Sequence, residues 1–194
     1  MLVCIVACII VAGTMFGVTL ARYVTGEKSA DTSLPVAKWG VDTKIAGNLT
    51  VVGNDYVVDG KLAPATEAYI DVEIQLAGTE VAVDYKVEIG NITGTNVPTG
   101  LALKKVVPVG TDGSEGTELT GTGNVYSGII PLNKDEDNKT TAFGADDKFI
   151  IRIYFEWTNS DANDATDTAI GQNAPGDLQF NIKVSAQQHI PADD

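Results

Sequence analysis

Cysteine is nearly absent from this 194-residue sequence, and the two that occur, Cys4 and Cys8, both lie in an apolar opening stretch. The polar remainder therefore has no thiol for a disulfide or a cysteine-based metal site, and it has to hold itself together without cross-links. Histidine is scarcer still. His189 is the only one and falls in a polar C-terminal tail, residues 189–194, which leaves no histidine-based triad, general base or multi-histidine metal site inside the domain. Basic residues are also few, 13 against 26 acidic ones, for a net charge of -13. Nucleic acid and anionic membrane surfaces are thus electrostatically disfavoured partners, whereas cations and cationic surfaces are not. Carboxylates are plentiful, yet the sequence assigns no pair of them to a shared cleft, and no enzyme activity is expected.

The opening stretch lacks charge altogether from Met1 to Ala21, and Leu2 to Leu20 reaches the roughly 18 residues with which an apolar helix crosses a bilayer. A cleaved export signal, a retained membrane or filament-core helix, and a buried helix of a soluble domain are the three readings. Gly13, Gly17, Ala7, Ala12 and Ala21 suit the first two equally. No basic segment precedes Leu2, so a true start further upstream, or trimming on the cytoplasmic side, is expected. "IVAC" at 5–8 has the form of a lipoprotein box, but the chain stays apolar well beyond it. The expected organisation is a hydrophobic signal or helix at 1–21, an extended linker or donor strand at 22–35, a β domain at 36–188 and the tail at 189–194.

Periodicity sets the fold class. In "DKFIIRIYFEW", Phe149, Ile151, Ile153, Phe155 and Trp157 share one face while Lys148, Arg152 and Glu156 share the other, the alternation of a half-buried antiparallel strand. "EAYIDVEIQLA" turns Ile70, Val72, Ile74 and Leu76 inward. "VAVDYKVEI" does the same with Val81, Val83, Tyr85, Val87 and Ile89, and the two read as a consecutive antiparallel pair. "DLQFNIKVSAQQ" points Leu178, Phe180, Ile182 and Val184 inward. Weaker strands are expected at 36–41, 48–52, 101–109 and 125–130, and the Gly, Asp, Asn and Thr between them suit turns and loops. No long helical pattern occurs beyond Leu20. About eight or nine strands in a region of this size indicate an all-β fold, a two-sheet antiparallel sandwich of jelly-roll kind.

One loop has cation chemistry. "NSDANDATDT" brings Asp161, Asn163, Asp164 and Asp167 close together in the chain, oxygen ligands of the type calcium prefers, although without the spacing or closing Glu of an EF-hand. Calcium is accordingly the one candidate cofactor. The same residues also build turns by capping their own backbone. Asn48, Asn91 and Asn138 begin N-x-Ser/Thr tripeptides, the acceptor pattern for glycosylation.

Several stretches resemble a known family. "GVTLARYV", "VAKWGV" and "KLAPATEAYIDVEIQLAGTEVAVDYKVEI", with "NDATDTAIG" and "SAQQ" near the end, are similar to segments of the TasA/camelysin family of secreted Firmicute-type biofilm-fibre proteins. In "LAPA", Ala65 stands where the family has Gly. The resemblance implies a secreted jelly-roll subunit that polymerises by donating an N-terminal strand to its neighbour, with itself and other matrix or cell-surface components as partners and the membrane touched only through 1–21. The underlying physics is general. An open sandwich leaves unpaired edge groups that an extended segment can satisfy, and head-to-tail donation that does not close propagates into a filament. "RYVTGEKSADTSLP", from Arg22 to Pro35, has no core pattern and is the candidate donor. The alternatives are a pilin-like subunit that keeps its apolar helix, against which the missing Glu near the helix start counts, and a monomeric surface adhesin.

Overall fold

The computed structural model describes residues 37–45, 49–53, 55–173 and 178–191. The expectations for 1–21 and 22–35, and the acceptor Asn48, lie outside the described residues. Alternation dictates what forms. Ten strands run in order: β1 (Asp42–Ile45), β2 (Thr50–Val51), β3 (Thr66–Gln75), β4 (Val83–Thr93), β5 (Leu101–Val109), β6 (Val125–Ile130), β7 (Asn133–Lys134), β8 (Thr140–Thr141), β9 (Lys148–Trp157) and β10 (Gln179–Gln188). Among the described residues one helix, α1 (Asp164–Asn173), lies between β9 and β10. β5 and β6 have the sequence-predicted bounds. The strand expected at 36–41 is corrected to β1, because residues 38–40 bond to a loop instead of a ladder: Lys38 N–H donates to Glu80 Oε2 at 2.9 Å and Gly40 N–H to Thr79 Oγ1 at 3.3 Å.

All ladders are antiparallel. The larger sheet has the order β1-β3-β9-β5, with β2 also pairing β3, and the smaller has β10-β4-β6; β7 and β8 form a separate hairpin. The sheets share one core. Ile70, Val72 and Ile74 of β3, Ile151, Ile153, Phe155 and Trp157 of β9, and Val83, Tyr85, Val87 and Ile89 of β4 belong to a single buried cluster. Aromatic rings bridge the layers, Phe155 to Phe180 at 4.5 Å and Tyr85 to Phe149 at 5.2 Å between centroids, in the tilted arrangements that aromatic quadrupoles favour.

The expected pairing of β3 with β4 is not formed. β3 lies in the larger sheet and β4 in the smaller, and the connection between them arches across the core edge. Gly78 takes a positive φ of 68° there, which costs glycine little. Thr79 is fully buried, its hydroxyl donating to Gly40 C=O, and its own C=O accepts from Phe143 N–H. The crossing repeats along the chain: β3, β4, β5, β6, β9 and β10 alternate strictly between the two sheets.

The turn that starts β3 explains an oddity of the sequence. Thr66 N–H donates to Ala63 C=O at 3.1 Å, which makes Ala63, Pro64, Ala65 and Thr66 a β-turn with proline second. Ala65, third, has φ of 65°, a conformation that type II turns require at this position and that glycine meets most easily.

Candidate functional site

Three regions carry polar or unpartnered groups. The first is the outer face of the larger sheet. A bulge in β5 between Leu103 and Lys105 lets two successive lysines serve the same face. Lys104 bonds Glu67 and reaches Glu156 Oε2 at 3.4 Å, and Lys105 donates to Glu115 at 2.7 Å. Arg152 grips Asp71 with two bonds of 2.8 and 3.0 Å and stacks 4.0 Å over the Tyr69 ring. Lys148 donates to Glu73 at 2.8 Å. Tyr154 donates to Glu115, while the Lys105 ammonium sits 4.4 Å over its ring. The electrostatic consequences follow from these partners. The Lys105 ammonium, then the Tyr154 hydroxyl, hold the Glu115 carboxyl below its ordinary value. Glu67 raises Lys104, and Glu115 raises Lys105. Burial first, then Glu115, raises Tyr154. This network clamps β3, β9 and β5 side by side, and residues 115–119 cover the β5 edge through bonds from Gly116 N–H to Pro108 C=O and Leu119 N–H to Val106 C=O.

The second region is the β10 edge of the smaller sheet. Among the described residues β10 pairs with β4 alone. Its inward residues Phe180, Ile182, Val184 and Ala186 are only half-buried, whereas Val83, Tyr85, Val87 and Ile89 on adjacent β4 are at most 6% exposed. A shallow cleft of about 660 Å³ lies between this edge and β1, lined by Thr43, Ile45, Glu88, Lys183, Val184 and Ser185. Past the strand, His189 Nδ1 lies 2.8 Å from Asp84 Oδ1 and its N–H bonds Ala82 C=O, so the expected tail begins tied to β4.

The third is the run singled out for calcium. The structure divides it. Asp161 and Asp164 are exposed, Asn163 is half-buried and Asp167 is buried. Where a cation loop or turns were expected, α1 begins: Asn163 sits at the N-cap position, Asp167 N–H donates to Asn163 C=O at 2.8 Å, and Asp164 and Asp167 stand in the acidic first turn. Among the described residues no three His, Cys, Asp or Glu side chains converge as a metal group. An Asn cap followed by acids is a helix-start signal, and it was legible; the absence of an apolar stripe hid it, since among the described side chains of this helix only Asp167 and Ile170 are buried. Of the acceptor asparagines, Asn91 and Asn138 are exposed.

No family model and no curated protein matches the chain.

Proposed function

We propose that this protein is a structural subunit of an extracellular filament or biofilm-matrix fibre: a jelly-roll-like sandwich, exported behind its hydrophobic 1–21 segment, that polymerises head to tail by strand donation. The observation that carries the reading is β10, whose inward apolar side chains are half-exposed beside an edge that no described strand pairs. Main-chain hydrogen bonds and alternate side chains of an added strand would satisfy both deficits together. The strictly alternating crossings between sheets agree with jelly-roll winding, and the dense clamp on the larger sheet suits a part that has to keep its shape under load. Residues 22–35 are the proposed donor, delivered by a second copy of the chain.

Electron microscopy of two shortened chains tests this. A chain beginning at Arg22 should form filaments, and one beginning at Pro35 should stay a folded monomer. Filaments from both refute donation by this segment. Filaments from neither transfer assembly to the apolar helix, as in a pilin-like subunit.

A further inference from the structure

The edge of β10 has a direction, and the direction decides which copy of the chain can complete it. β3 begins at one end of the sheets, opposite Trp157, and finishes at the other, where the arch at 76–82 leads into β4. The described chain starts at that arch end. Lys38 N–H donates to the Glu80 carboxylate there and Glu80 N–H to Lys38 C=O, and β1 then runs away from the arch, with Asp42 opposite Gln75 and Ile45 opposite Val72. β10 finishes at the same end, since Gln179 pairs with Thr93 and Gln188 with Val83. A segment joined to residue 37 and laid on the β10 of its own subunit would therefore run parallel to it. The described ladders are all antiparallel, the pairing with the slightly greater stability per residue. Relative to β1 the directions are reversed, but β1 offers a template of four residues against ten.

A second copy stacked end on end reverses the direction. With its arch end against the Trp157 end of the first copy, the same segment enters beside Gln179 and lies antiparallel along β10. Two arch ends placed together would give a parallel strand and a closed two-fold dimer, whereas the end-on-end contact is heterologous and propagates. The reach is sufficient: Arg22–Pro35 spans about 46 Å when extended, against about 33 Å for the ten residues of β10. The two ends also carry exposed apolar side chains. Tyr56 and Val58, 95% and 75% exposed, lie on the loop leading to the start of β3, and Trp39 and Ile190, 42% and 77% exposed, flank the arch end. Resting on the donation reading above, we infer that the donated strand lies antiparallel to β10, delivered by a copy whose Trp39 and Ile190 end sits on the Tyr56 and Val58 end of its acceptor.

The test uses the full-length chain carrying Cys4→Ser and Cys8→Ser, which has no other thiol. Ser33→Cys is combined with either Gln179→Cys or Gln187→Cys, two exposed positions about 26 Å apart on β10, and assembled material is treated with a bismaleimide much shorter than that distance. Ser33→Cys should link to Gln179→Cys between copies, giving a ladder of covalent oligomers on denaturing gels, and should not link to Gln187→Cys. A looped monomer through either position overturns the proposal, because the strand then completes its own subunit. A covalent dimer through Gln187→Cys overturns it as a closed two-fold pair. Filaments that cross-link at neither position overturn it too, yet leave donation to another edge standing; filaments from the chain beginning at Pro35 instead remove donation itself. The contact between ends has its own measurement. Val58→Asp and Ile190→Asp, both on exposed side chains, should leave the melting temperature unchanged and each raise the concentration needed for filaments about tenfold. Filaments from both variants at the native concentration overturn the end-on-end stack.

Discussion

Strands β9 and β10 are both ten residues long and both alternate apolar with polar side chains, yet they end in different states. β9 is flanked on both sides, by β3 and β5, and Ile151, Ile153, Phe155 and Trp157 are at most 3% exposed. β10 has one neighbour among the described residues, and its equivalent residues stay half-buried. Alternation tells which face of a strand looks inward. Whether that face is then covered depends on position in the sheet, and position is decided by pairing partners far away in sequence.

The comparison can be broken most directly at the two rings that touch. Phe155→Ala on β9 removes a side chain 1% exposed and should cost about 3–5 kcal/mol in denaturant unfolding. Phe180→Ala on β10 removes its half-buried partner and should cost only about 1–2 kcal/mol, while reducing filament yield under electron microscopy far more than stability. Equal losses from the two substitutions would mean that β10 is as well covered as β9.

A smaller effect of opposite sign is expected at the turn that leads β3 into its place beside β9. Ala65→Gly relieves a left-handed alanine and should stabilise by about 0.5–1 kcal/mol, read as a higher denaturant midpoint at unchanged slope. The smallest effect concerns Glu115, on the segment that covers the β5 edge and has no counterpart at β10 among the described residues. Its carboxyl is depressed by Lys105 and Tyr154, so its contribution is complete above the unfolded value of about 4.3 and is lost as pH falls through the folded one. Glu115→Gln should therefore be less stable than the native chain at pH 7, with the two unfolding curves converging on acidification. A gap that widens in acid would contradict the assignment.

Much of the fold was legible residue by residue. The inward sets of β3, β4 and β9, and the bounds of β5 and β6, follow from period-two alternation because each of those strands has one face on the core. The strand partners were not legible: Asp71 meets Arg152 across 81 residues, and nothing local to "GTE" distinguishes an arch between sheets from a hairpin within one. The helix was missed because two buried positions, one of them Asp167, make no hydrophobic stripe. The acidic run was half legible. Composition drew attention to Asp161, Asn163, Asp164 and Asp167, but only burial separates Asp167 from the exposed Asp161 and Asp164.

The strict alternation of long strands between sheets also bears on when the chain can fold. No long strand pairs with the one that follows it, so no early hairpin is available as a nucleus, and the loop-closure entropy of distant contacts has to be met first. β3 and β5 are joined only through β9, and β4 waits for β6 and β10. A chain threaded through a narrow channel from its N-terminus could thus pair β1 and β2 with β3 early, but would complete neither sheet until its final third had emerged, and would acquire its shape on the far side.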